Sequence, residues 1–180
     1  MHRGDEQRFR ELYDRTFQRL WAFVLRRLPD EHAARDVVAD TYLAVWRRIR
    51  DVPSETAAAD AWVFGTARRV LANAFRGNRR SSRLFDRIRQ RPLDLTLTDA
   101  EADGADERVG RALAALRPSE REILALAFWE DLDAAQIARV LGCSKNAAAV
   151  RLTRARRAWR AAYEAQAERE RDSELPGGER

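Results

Sequence analysis

Cysteine, lysine and histidine are almost missing from this chain of 180 residues. The single cysteine, Cys143, excludes an internal disulfide and any cysteine-cluster zinc site. It follows a glycine where an apolar residue is wanted, so packing is its expected role. His2 and His32 are isolated, and no nucleophile–base pair or metal-ligand cluster accompanies them. An enzyme is therefore not expected, and neither is a metal or any other cofactor. A nuclease would need a carboxylate cluster in a basic setting, and Asp36 with Asp40 is too little for that. No apolar run is long enough to span a bilayer, and Met1–Arg10 is too polar for a signal peptide. The expectation is a cytoplasmic protein with no membrane insertion of its own. A heptad run that would build a homodimer is also missing.

Arginine supplies nearly all the positive charge, with Lys145 the sole lysine. The formal net charge is +5 and the hydrophobic share is 45%, which suffices for packed cores. The charge is unevenly spread. Residues 1–92 carry 20 basic and 12 acidic side chains, residues 93–108 one and six, and residues 109–180 thirteen and eleven. Two basic modules separated by an acidic strap suggest a polyanion partner for each module.

The stretch DAAQIARVLGCSKNAAAVRLTRARR, Asp133–Arg157, reads as two short helices joined by a tight turn. Asp133 caps the first, with Gln136 as a capping-box partner. Ile137, Val140 and Leu141 form its apolar stripe. Gly142 ends it, because glycine enters the left-handed conformation without strain. Ser144 caps the second helix, whose buried side is Ala148, Leu152, Ala155 and Trp159. The outward side carries Asn146, Ala149, Val150, Thr153, Arg154 and Arg157. This is a helix-turn-helix pattern, and its second helix suits the major groove.

The remaining segments are also helical by periodicity. Phe9–Leu28 is amphipathic and stops at Pro29, and Asp30 caps a second helix over Ala33–Ile49. A third runs from about Asp60 to Arg80. On it Arg69, Asn73, Arg76 and Arg80 share one face, with Trp62 and Phe64 near the start. Arginines with interleaved rings suit a single-stranded nucleic acid. Pro92 to about Asp106 is acidic and aperiodic, so a flexible linker is expected. The second module starts near Glu107 with a helix lined by Val109, Leu113 and Leu116 and ended by Pro118. Ser119 and Glu122 then suggest a capping box for the next helix. After Tyr163 the expectation is frayed helix and disorder. The fold class is all-α: two small helical domains joined by a flexible linker, the second a helix-turn-helix domain.

Three stretches together resemble the extracytoplasmic-function (ECF) group of the sigma-70 family, bacterial RNA polymerase sigma factors. DVVADTYLAVWRR, Asp36–Arg48, is similar to the polymerase-clamp-binding helix. AWVFGTARRVLANAFRGNRR, Ala61–Arg80, is similar to the promoter-melting helix that reads the minus-ten element. Leu113–Arg160 is similar to the domain that reads the minus-thirty-five element. The resemblance implies a sigma region 2 domain at 1–91, a linker at 92–106, a region 4 domain at 107–163 and a charged tail at 164–180.

It also implies residue roles. The upstream element falls to Lys145, Asn146, Ala149, Val150, Arg151, Thr153 and Arg154. Ala149 and Val150 can touch a thymine methyl but cannot read a guanine, so discrimination rests on Arg154, Asn146, Lys145 and DNA shape. The minus-ten element and melted strand fall to Trp62, Arg69, Asn73, Arg76, Arg79 and Arg80. The clamp falls to Asp36, Ala39, Asp40 and Arg47. Arg69 stands where the family usually has asparagine, and Ala39 where it usually has glutamine. The implied partners are core RNA polymerase, through clamp and flap surfaces, and promoter DNA. A dedicated anti-sigma factor is common in the group. The competing reading is a stand-alone helix-turn-helix regulator that does not bind polymerase, and it leaves Asp36–Arg80 unexplained.

Overall fold

Helices make up every regular element among the described residues, 3–28, 30–78 and 104–174, of the computed structural model. In chain order they are α1 (Arg3–Leu25), α2 (Glu31–Arg47), α3 (Thr56–Asn78), α4 (Gly104–Ala114), α5 (Pro118–Phe128), α6 (Ala134–Leu141) and α7 (Lys145–Glu174). The all-α expectation and the helix-turn-helix both hold. The linker expected at 92–106 lies outside the described residues up to 103, and its last three residues open α4.

Local chemistry sets the boundaries. The Asp30 carboxylate accepts from the His32 amide at 3.1 Å and starts α2. Glu55 starts α3 earlier than expected, accepting from the amides of Ala57 (2.9 Å) and Ala58 (2.7 Å). Those donors have no partner within the helix, and a glutamate here does what a serine or aspartate usually does. The cap expected from Ser119 and Glu122 is not the one formed. Pro118 occupies the first helical position of α5, where its missing N–H costs nothing. Glu120 reaches back to the Arg117 amide at 3.1 Å. Glu122 is engaged elsewhere, as described below. The tail expected to fray after Tyr163 continues as helix to Glu174. Its Ala, Gln, Glu and Arg residues are strong helix formers, and no breaker precedes Pro176.

Helices α1, α2 and α3 form one unit around Leu20, Phe23, Val24, Val45, Val63 and Phe64, all fully buried. Phe23 and Phe64 meet edge to face at 5.4 Å. Phe9, Tyr13, Phe17, Tyr42 and Trp46 form an aromatic cluster between α1 and α2. Helices α4–α7 form the second unit around Leu113, Ile123, Leu124, Leu126, Ile137, Val140, Ala148 and Leu152.

The two units are in contact. Helix α6 lies against α3, and a Cβ added at Gly65 would sit 3.6 Å from the Val140 Cα. Glycine allows this approach; alanine would fit, and a longer side chain would meet backbone.

A buried polar pair anchors α1 to α2. The Thr16 hydroxyl donates to the Leu12 carbonyl at 2.6 Å and pairs with the Tyr42 hydroxyl at 2.8 Å. Burial pushes the Tyr42 phenol up to about 12, against an opposing pull from its Thr16 hydrogen bond. The unfolded phenol ionises near 10. The value is thus raised on folding, so this contribution to stability is present below pH 10 and fades from there towards 12. Ultraviolet titration of the folded protein should show a tyrosine ionising near pH 12 that is absent from Tyr42→Phe. At neutral pH that substitution should cost about 1 kcal/mol in denaturant melts, the usual net worth of one hydrogen bond.

Candidate nucleic-acid and polymerase interfaces

The turn between α6 and α7 is built as its residues dictate. Asp133 accepts from the amides of Ala135 (2.7 Å) and Gln136 (2.8 Å), while the Gln136 side chain accepts from the Asp133 amide at 2.9 Å. Gly142 is left-handed at φ 68° and ends α6. Ser144 Oγ accepts from the Ala147 amide at 3.1 Å and opens α7. Ala148, Leu152 and Ala155 are buried, with Trp159 half-buried beside them.

That packing turns the other face of α7 outward. Lys145, Asn146, Val150, Arg151, Thr153 and Arg154 are exposed and Ala149 is half-buried. Thr153 donates to the Ala149 carbonyl at 3.0 Å, so its hydroxyl proton is used within the helix. The result is a fixed helix start with amide, ammonium and guanidinium groups pointing to solvent. Such a surface can enter a major groove and can also hold phosphates.

On α3 the expected face is partly assembled. Arg69, Asn73 and Arg76 are exposed on one side. The Arg76 guanidinium donates to the Asn73 side-chain oxygen, and Arg69 Nε donates to the Gly65 carbonyl at 3.1 Å. Trp62 is half-buried, with the Arg48 guanidinium 5.7 Å from its ring centre. Arg79 and Arg80 lie outside the described residues. Phe64, expected among rings available to bases, is fully buried against Phe23. Helix α1 supplies that ring, and periodicity within α3 could not reveal it.

Helix α2 turns Asp36, Ala39, Asp40 and Arg47 to solvent, as its buried stripe of Val37, Val38, Thr41, Tyr42 and Val45 requires. Leu43 stands among them with 45% of its surface exposed. Its spacing from Asp40 and Arg47 places it on that face, a signal the sequence carried.

Less legible was a chain of ion pairs running from the first unit into the second. Asp60 on α3 is buried and accepts from Arg15 (2.8 Å) and Arg19 (3.2 Å) on α1. Arg19 also donates to the Glu130 carbonyl. Glu130, fully buried in the turn after α5, pairs through its carboxylate with Arg26. Arg27 donates to Glu122 at 3.1 Å and lies 3.6 Å over the Phe23 ring. Arg68 on α3 lies 3.8 Å from the other Glu122 oxygen. Burial lowers the Arg27 guanidinium below its ordinary value, with Glu122 and Glu130 opposing. Burial likewise raises the Glu130 carboxyl, with Arg26, Arg27 and Arg19 pulling it back.

Comparison with known proteins identifies each of the two units. Residues 12–81 match the family Sigma-70 region 2, and residues 106–158 match Sigma-70, region 4. The ECF RNA polymerase sigma factor SigL of Mycobacterium tuberculosis (strain Erdman) is 30% identical over 156 residues, 84% of this chain and 86% of its own length. SigK of Mycobacterium tuberculosis (strain H37Rv), also an ECF RNA polymerase sigma factor, is 28% identical over 160 residues, 87% of this chain and 86% of its own length. The solved RsbN–BldN complex aligns over 88% of this chain and 93% of its own, with 22% identity and a TM-score of 0.35. Both regions of the family are present in order, each on its own helical unit. The chain belongs to the ECF sigma factors of the sigma-70 family, and it is not an enzyme but a DNA-binding factor that directs transcription initiation with RNA polymerase.

Proposed function

We propose that the two units divide promoter recognition between them. The α7 start reads the upstream, minus-thirty-five element as duplex. Arg154, Asn146 and Lys145 discriminate, Arg151 holds the backbone, and Ala149, Val150 and Thr153 fit the groove wall. The α3 face carries the downstream, minus-ten strand once it is melted. Trp62 offers a ring, Arg69 and Asn73 border the base, and Arg76, Arg79 and Arg80 hold phosphates. Helix α2 docks on the polymerase clamp through Asp36, Ala39, Asp40 and Arg47, with Leu43 as an apolar centre. The second unit meets the flap. A dedicated anti-sigma factor, if the cell makes one, would have to mask the clamp face.

In this division the domains run from 1 to 91 and from 107 to 163, the second extended at both ends by α4 and α7. The observation that best supports the reading is the outward side of α7. Four groups that can bond base edges or phosphates, Lys145, Asn146, Arg151 and Arg154, stand exposed just beyond a capped turn. None of them is in an ion pair with another described residue.

The clamp assignment is checked by co-elution with core RNA polymerase. The wild-type chain should co-elute, Asp36→Ala/Asp40→Ala should be weakened about tenfold or more, and Leu43→Ala should be weakened as well. Equal co-elution of all three chains would remove α2 from the clamp surface. The DNA assignments separate by salt and sequence. With holoenzyme on promoter DNA, Arg154→Ala should lose about 1–3 kcal/mol of discrimination at one upstream position. Arg76→Ala should weaken binding whatever the sequence and reduce the salt slope by about 1. Unchanged upstream preference in Arg154→Ala would reassign the reading side chain.

A further inference from the structure

We propose that Arg69 and Asn73 select the unpaired base they border, and that they take a base with two adjacent hydrogen-bond acceptors on one edge. Guanine offers such a pair in O6 and N7, and cytosine in O2 and N3. Adenine and thymine are rejected. The inference rests on the reading of the α3 face as the carrier of the melted strand. It deepens that reading by assigning the chemistry of one position on the strand.

The groups stand in one stripe. Trp62, Arg69, Asn73 and Arg76 follow one another at intervals close to whole turns of a helix with 3.6 residues per turn. At 1.5 Å per residue the stripe is about 21 Å long, room for a few nucleotides. Arg69, Asn73 and Arg76 are exposed. The neighbouring Arg68 leans to Glu122 at 3.8 Å, across the helix from the stripe. Arg69 forms no ion pair with another described residue, so its charge is left for the strand.

Hydrogen bonds within α3 decide which atoms meet a base. Arg69 Nε donates to the Gly65 carbonyl at 3.1 Å. That bond uses the inner donor of the guanidinium and pins the planar group by one edge. The two terminal nitrogens remain, as a fork of parallel N–H donors. One turn on, the Asn73 side-chain oxygen accepts from Arg76. The acceptor end of the Asn73 amide is thus engaged, and its donor end is left for the strand. A guanidinium has no acceptor at all. Beside the base, the patch therefore presents donors only.

A patch of donors sorts the four bases. Melting exposes both the Watson–Crick and the Hoogsteen edge of each. Guanine sets O6 beside N7, and the bidentate pairing of arginine with those two atoms is the commonest specific contact to a base. Cytosine sets O2 beside N3, the same arrangement on its Watson–Crick edge. Adenine sets its amino group beside N7 and beside N1, so one donor of the fork meets another donor. Thymine places an N–H between its two carbonyls, and the fork finds a single acceptor. A mismatched donor taken out of water loses a hydrogen bond, which is where the discrimination comes from.

The test is selection by holoenzyme, assembled from core RNA polymerase and the full chain, on fork-junction DNA randomised along the unpaired strand. Wild type, Arg69→Lys, Arg69→Ala and Arg76→Ala are compared, after circular dichroism melts show that each keeps its fold. The wild type should enrich guanine or cytosine about tenfold or more over adenine and thymine at one unpaired position. Both Arg69 variants should cut that preference to about twofold or less and leave other positions unchanged. Arg69→Lys should do so at an unaltered salt slope, because it keeps the charge and loses the fork. Where guanine is selected, 7-deazaguanine should lose most of the advantage; where cytosine is selected, the Watson–Crick edge is the one read. A wild type without such a position, adenine or thymine at the position Arg69 controls, a preference that survives in either Arg69 variant, or full binding of 7-deazaguanine would overturn the proposal. Arg76→Ala separates this failure from that of the underlying reading. It should weaken all sequences alike, and if it changes nothing, the strand does not lie on α3.

Discussion

A glutamate with no contact with water, Glu130, joins the two halves of this molecule. Its partner Arg26 comes from the turn that follows the first helix, 104 residues earlier in the chain. Neither charge could remain buried alone, since an unpaired ion in a protein interior is far more costly than a paired one. The first unit must therefore present Arg26, and the second must present the turn after α5, at the same place. That requirement fixes the register of α6 on α3, and α6 carries the start of α7 with it.

The same requirement explains which surfaces are left outside. Arg19 and Arg27 are drawn inward to Asp60, Glu130 and Glu122. Arg69, Arg76, Arg151 and Arg154 point outward. An arginine-rich chain thus sorts one type of side chain into two uses. Some guanidiniums neutralise buried carboxylates between the units, and others stay available for phosphates and bases. Charge totals along the sequence could not separate them, because both kinds are the same side chain and differ only in the carboxylates that the fold brings to them.

Legibility followed the range of the interaction. The turn at Gly142, the Asp133–Gln136 box and the Ser144 cap were readable because each involves residues within three or four positions. The outward face of α2 was readable from its buried stripe. Glu122 was misread as a capping residue because the signal for a capping box is local, whereas Arg27 lies 95 residues away. Phe64 was misread as a stacking ring because the group that buries it, Phe23, belongs to another helix. Glu130 and Asp60 gave no signal at all: a buried carboxylate and an exposed one look alike until the partner is in place. The helix to Glu174 is firmer than the frayed helix and disorder expected after Tyr163, for another reason. Charge-rich composition there reads as disorder, while the propensities of its residues favour helix.

The measurement that most directly addresses the account is one interdomain distance taken in the wild-type chain and in Glu130→Lys. Labels on cysteines introduced at Arg35 of α2 and Arg160 of α7, both exposed, in a Cys143→Ala background, would report it by pulsed electron resonance. The free wild-type chain should give a single narrow, short distance, and Glu130→Lys, which sets a cation against Arg26, should broaden and lengthen it. A long or broad distance in the wild-type chain, or an unchanged one in Glu130→Lys, would contradict two units set in one register by Arg26 and Glu130.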